Sequence, residues 1–149
     1  MIKRLVLVVS VCLTALLISS CGGGGTSSGA VSEDYFRNNL IHKTLTNSFQ
    51  GTLNSSGKDQ PAVTSFFIEN GGKIAGNYIF YECSYYCGIH SGDLYDCNIL
   101  DIETLKCTWK DDWGDGVFLV IFSEDFNSFN GYWSDYDYMN NKYNWNGKR

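Results

Sequence analysis

From Thr44 onward, apolar and polar residues alternate in runs of 7 to 14, and each run closes on a polar turn. The runs predict eight strands: Leu45–Asn54, Val63–Glu69, Lys73–Cys83, Cys87–Leu100, Thr104–Lys110, Gly116–Ser123, Ser128–Asp135 and Asn141–Gly147. The breaks carry turn chemistry, in Ser56-Gly57-Lys58-Asp59, Asn70-Gly71-Gly72, the Asp111 to Gly116 loop and Glu124-Asp125. No helical period is long enough for a parallel crossover, so the expected class is all-β, an antiparallel up-and-down meander. Alternation is cleanest late in the chain. Leu105, Cys107 and Trp109 share one face; Phe129, Gly131 and Trp133 share another; Tyr143 and Trp145 oppose Asn144 and Asn146. Gly116–Ser123 is apolar throughout, which predicts a strand covered on both faces or lying at a contact surface. A two-sheet sandwich fits the pattern. Eight sequential strands with bulky inward aromatics close more naturally into a barrel, which leaves no free edges.

Several strands share one frame, a small residue flanked two positions away by large apolar ones. It recurs at Phe49-Gln50-Gly51-Thr52-Leu53, Ile74-Ala75-Gly76-Asn77-Tyr78, His90-Ser91-Gly92-Asp93-Leu94 and Phe129-Asn130-Gly131-Tyr132-Trp133. Leu105-Lys106-Cys107-Thr108-Trp109 places a cysteine at the centre, and Trp145-Asn146-Gly147 begins another copy. Glycine inside a strand marks a bend or a close backbone approach, as a small closed sheet requires.

Upstream, the pattern changes. Ser32 to Lys43 has weak helical character, broken by Asn38-Asn39, and is expected to form a single helical turn or an extended lead-in. Lys3 and Arg4 precede an apolar run of 14 residues, Leu5 to Ile18, too short to span a bilayer comfortably and suited to an export signal. Its end, Leu17-Ile18-Ser19-Ser20-Cys21, resembles the lipobox of bacterial lipoproteins. That resemblance implies lipidation of Cys21, cleavage before it and anchoring in a membrane through the acyl chains. Gly22 to Gly29 reads as a flexible tether. The residue after Cys21 is glycine rather than aspartate, so the resemblance points to the outer membrane of the cell envelope. The expected organisation is a signal peptide over 1–20, a lipidated cysteine and tether over 21–34, and a barrel domain over 35–149.

Charge narrows the partners. Without Lys3 and Arg4 the chain carries 9 basic and 16 acidic residues, net -7, which disfavours nucleic acid as a partner. Aromatics at 15% argue for a packed core rather than disorder.

The first three predicted strands resemble the opening of the avidin family of eight-stranded barrels. The similarity runs through Phe49-Gln50-Gly51-Thr52-Leu53-Asn54, Ser65-Phe66-Phe67-Ile68 and Lys73-Ile74-Ala75-Gly76-Asn77-Tyr78, about 35 residues. It implies an avidin- or lipocalin-like barrel. The family's ligand groups are mostly replaced. Its strand-one tryptophan falls on Leu53, its ureido-binding asparagine on Ser55 and its first-loop serine near Lys58. Only Tyr78 matches a ligand-contacting position.

Four cysteines remain beyond the leader, and in an exported chain an even count implies disulfides. Four cysteines allow three connectivities; if the Asp101-Ile102-Glu103 turn centres a hairpin, Cys97 stands opposite Cys107, and the favoured pairing then leaves Cys83 and Cys87 to close a small loop. The spacings lack the paired short intervals of a zinc site. His90 and Ser91 are adjacent on one strand and point to opposite faces, so His90 reads as a surface histidine, not a base for Ser91. Asp111-Asp112-Trp113-Gly114-Asp115-Gly116 reads as a polar hairpin turn with an exposed tryptophan; its carboxylates suit Ca²⁺, but the EF-hand pattern is absent. No phosphate loop, nucleophile elbow or zincin motif occurs. The expectation is a non-enzymatic envelope lipoprotein without cofactor or metal. It would bind a small ligand or an envelope partner, with Tyr78, Trp109 and Trp133 as ligand-binding candidates. The alternative is a protein-binding module, such as an inhibitor of a cationic, lysozyme-type hydrolase.

Overall fold

A computed structural model describes residues 34–40, 48–83 and 87–149. The leader, Cys21, the tether, His42 and the first residues of the predicted first strand lie outside the described residues. The rest is a closed barrel of eight antiparallel strands in meander order. The strands are β1 (Ser48–Ser55), β2 (Lys58–Ile68), β3 (Ile74–Glu82), β4 (Gly88–Ile99), β5 (Thr104–Asp111), β6 (Gly114–Phe122), β7 (Ser128–Asp135) and β8 (Tyr143–Lys148). The sandwich alternative is excluded, because β1 pairs with β8 as well as with β2. Outside that seam, Thr52 N donates to Asn146 Oδ1 at 3.2 Å and Asn146 Nδ2 donates to Thr52 Oγ1 at 2.9 Å.

Seven strands fall close to their predicted positions; β2 starts five residues earlier than Val63. Its cause is the turn before it. Ser56 and Gly57 take φ of 52° and 76°, the two left-handed residues of a type I′ hairpin, so pairing resumes at once with Ser55 opposite Lys58. Gln60 and Ala62 then face inward despite the polar run around them. Of the two readings of β6, coverage on both faces is excluded. Phe118, Val120 and Phe122 are buried inside the barrel, but Ile121 on the outer face is 52% exposed, so the strand is not covered on both sides.

Both disulfides join the expected partners, Cys83 with Cys87 and Cys97 with Cys107. The second does not sit in a regular ladder. The β4–β5 register slips between Tyr95 and Asn98, with Asp96 at φ 49°, so a bulge supplies the extra residue beside Cys97.

One end of the barrel is plugged. Residues 34–40 form two turns of helix, α1, longer than the single turn expected. A helix this short has little stability of its own. It is held by burial of Phe36 and Leu40, one helical turn apart on the same face, and by Arg149. Arg149 Nη1 donates to Leu40 O at 3.0 Å and Nη2 to Asn39 O at 3.1 Å, capping the last carbonyls of α1. The same guanidinium lies 4.7 Å from the centre of the Phe49 ring. Beneath α1, Phe36, Phe49, Phe122, Phe126 and Phe129 meet mostly edge to face.

Phe126 is delivered into this plug by the β6–β7 turn. Asp125 accepts from Ser123 Oγ at 2.7 Å, Asn127 N at 3.0 Å and Asn127 Nδ2 at 2.8 Å, and the next residue, Phe126, is held at φ 55°. These bonds lower the Asp125 carboxyl to a pKa of about 2, Ser123 contributing most. The Asp125 contribution to stability is therefore present above the ordinary carboxylate range and is lost as pH falls toward that value. Phe126→Ala should cost about 3–5 kcal/mol in chemical denaturation. Phe126→Gly should cost somewhat less, because glycine accepts the left-handed backbone; equal losses would mean that the turn stores no strain.

Candidate functional site

The opposite end is open, and a cavity of about 720 Å³ runs into it. The two-residue turns β1–β2 and β5–β6 lie at this end, as do the ends of β3 and β7. The cavity is lined deep down by Tyr78, Trp109, Trp133 and Trp145, and nearer the mouth by Phe80, His90 and Trp113. All three candidates from the sequence, Tyr78, Trp109 and Trp133, thus stand on one wall system. Leu53 and Ser55 line it with Tyr78, whereas Lys58 is exposed and does not.

The deep rings are fixed to the wall. Trp109 Nε1 donates to Ser134 O at 3.1 Å, Trp133 Nε1 to Asn54 O at 2.8 Å, and Trp145 Nε1 to Thr64 Oγ1 at 2.9 Å. Tyr78 Oη donates to Asp111 Oδ2 at 3.0 Å. Each polar handle is used by the protein, so these rings offer the cavity faces and edges only. Trp109 and Trp133 meet edge to face with centroids 5.2 Å apart, and Tyr143 stacks on Trp133 at 4.6 Å.

Two inward glycines make this arrangement possible. A Cβ on Gly116 would lie 2.7 Å from Trp109 Nε1, across the line of its bond to Ser134. A Cβ on Gly92 would overlap the Tyr78 ring, at 2.5 Å from Cζ. Within the repeated frame, Gly92 and Gly147 stand against aromatic rings, of Tyr78 and Phe129, whereas Gly51 and Gly131 meet the neighbouring strand.

Three carboxylates stand above the rings. Asp111 accepts from Tyr78 and, through Oδ1, from Trp113 N at 2.8 Å, so one side chain fixes both a deep ring and the rim turn. Glu82 accepts from Ser55 Oγ at 3.0 Å and Ser56 Oγ at 2.8 Å, tying the β1–β2 turn to β3. Asp135 lines the same cavity. Burial, then the charges of Asp111 and Asp137, push the Asp135 carboxyl above its ordinary range. Burial, then the charge of Asp111 and the hydrogen bond to it, then the charge of Asp93, keep the Tyr78 phenol protonated far beyond its usual range.

Sequence reasoning missed these carboxylates as a set, and it misplaced His90. His90 is not an isolated surface residue. Its ring is 4.3 Å from Trp113 and 5.4 Å from Phe80, forming part of the mouth. Trp113 is 63% exposed, as expected of that turn, and Asp112-Trp113 form a plain two-residue hairpin connection. Among the described residues, no three His, Cys, Asp or Glu side chains come together as a metal-ligand set. The signal that could have found the site is a repeat. Phe80-Tyr81-Glu82, Trp109-Lys110-Asp111 and Trp133-Ser134-Asp135 each place an aromatic and an acid two residues apart at the same end of alternate strands.

Comparison with protein-family models, with curated proteins and with solved structures finds no match for this chain.

Because folding raises the Asp135 pKa, Asp135 contributes stability at pH below its unfolded value, and that stability is lost as pH rises through the folded midpoint. Asp135→Asn should therefore melt higher than the parent at neutral pH, with the gap closing below about pH 4. Thermal melts at both pH values check this; an unchanged gap would exclude Asp135 as its source.

Proposed function

We propose that this barrel is a non-enzymatic binding protein of the bacterial cell envelope, held to a membrane through lipid on Cys21, that takes a small ligand into its open end. The observation that carries the binding reading is the cavity itself. It has the volume of a small-molecule site and is lined mainly by aromatic rings with a few polar groups at the mouth. A barrel core whose only task was stability would be filled at both ends, as the plugged end is. The envelope reading is supported by the export-type leader, by Leu17-Ile18-Ser19-Ser20-Cys21 and by cysteine usage consistent with an oxidising compartment. Catalysis is not part of the proposal. His90 packs on aromatic rings at the mouth, Asp111 is engaged in fixing Tyr78 and Trp113, and Glu82 in fixing the β1–β2 turn.

The neutral fluorophore 1-aminoanthracene should bind one molecule per chain, with a rise in its emission and a Kd in the micromolar range. Leu53→Trp, which places an indole in the cavity, should weaken that binding at least about tenfold while leaving a cooperative melt. No rise in emission with the parent chain would remove the small-ligand reading. For the anchor, Cys21→Ser should abolish incorporation of labelled palmitate and release the chain from the membrane fraction. Labelling that persists would place the lipid elsewhere.

A further inference from the structure

We propose that the ligand of this cavity is a small organic cation, an ammonium group carried on an apolar or aromatic body; the proposal rests on the small-ligand reading above. Its basis is the order of groups along three strands. Moving toward the mouth, β3 presents Phe80 then Glu82, β5 presents Trp109 then Asp111, and β7 presents Trp133 then Asp135. Residues two apart on a strand share a face and are separated by about 6.6 Å along it. Each pair therefore sets a carboxylate one step nearer the mouth than its ring, so that Trp109 and Trp133 belong to a deep aromatic tier, Phe80 to the mouth, and the three acids to a collar.

Each tier selects against the alternatives. In the lower tier, all three deep indole N–H groups donate to the protein, to Ser134 O, Asn54 O and Thr64 Oγ1, and the Tyr78 hydroxyl donates to Asp111. What remains there is apolar surface and ring faces, which attract cations and apolar bodies and give an anion nothing. In the collar, Glu82, Asp111 and Asp135 bring acceptors and negative charge, and no lysine or arginine stands among the described residues that line the cavity. An anionic ligand would have to enter past three carboxylates, with His90 at the mouth as the one side chain among the described lining residues able to carry positive charge. A neutral apolar ligand would leave the repulsion between Asp111 and Asp135 unrelieved, a repulsion that adds to burial in acting on Asp135. A cation relieves it. An ammonium group at the level of the collar, with its body against the Trp109 and Trp133 rings, satisfies both tiers together. The depth of the cavity favours a free small molecule over the side chain of a basic protein, which would have to bring its backbone down to the rim turns.

The test uses three probes of one shape: 2-phenylethylamine, 2-phenylethanol and phenylacetate, each titrated calorimetrically into the full chain at neutral pH. The amine should bind at least about tenfold more tightly than the alcohol, and the carboxylate more weakly than either. Exchanging Asp111 and Asp135 together for asparagine removes both charges, keeps one of the two acceptor oxygens that Asp111 uses, and should reduce the ratio of amine to alcohol affinity to within about twofold. Equal affinities in the parent chain, a preference for phenylacetate, or no binding of any of the three by a chain that binds 1-aminoanthracene would overturn the cationic assignment and leave the small-ligand reading standing. Failure of 1-aminoanthracene itself would remove that reading first. Tight binding of a basic protein such as lysozyme, with no affinity for the amine, would transfer the collar to a protein partner and also overturn the assignment.

Discussion

The interior of an eight-stranded barrel is narrow, and this chain divides it by the chemistry of its aromatic residues. Phenylalanine has no polar atom and packs wherever area is buried, so Phe49, Phe66, Phe118, Phe122 and Phe129 converge and fill one half. Tryptophan and tyrosine each carry a donor that must be satisfied when buried. Here the donors bond to the wall, through Ser134, Asn54, Thr64 and Asp111, and draw the rings outward. The choice of Phe against Trp or Tyr thus separates a solid half from a hollow one. Phe80 is the exception, and it lies at the mouth rather than in the centre.

Much of the fold was legible because it is a local property. Turn residues, alternation and the lack of helical period specify a meander, and bulky inward side chains, mostly aromatic, close it. The early start of β2 was hidden because Lys58, Asp59 and Gln60 look like loop, and Pro61 discourages a strand assignment. A type I′ turn at Ser56-Gly57 overrides that composition. The length of α1 was hidden for a different reason. Its stability comes from Arg149, more than a hundred positions away, and no local window contains both.

The site was half legible. Tyr78, Trp109 and Trp133 follow from inward alternation alone, but their lining a hollow rather than filling a core depends on where their donors go, which no pattern of apolar residues reveals. Asp111 was legible only as a turn residue, because a residue that ends a strand and begins a turn belongs to both descriptions. His90 reads as a surface histidine because its own strand offers it no partner; it faces Phe80 on β3 and Trp113 in the β5–β6 turn, which only the closed sheet brings beside it.

The contact between Arg149 and α1 also has a kinetic side. Helix α1 is near the start of the described chain, yet its last carbonyls are capped by the residue that follows β8, and β1 closes against β8 itself. Neither contact can form until the final strand is available, so the plug and the seam complete late, at the cost of closing a very long loop. Hairpins such as β1–β2 and β5–β6 can assemble early from neighbouring residues, while the finished cylinder waits for its last strand. A chain built this way stays open, without a completed core, until β8 has been made.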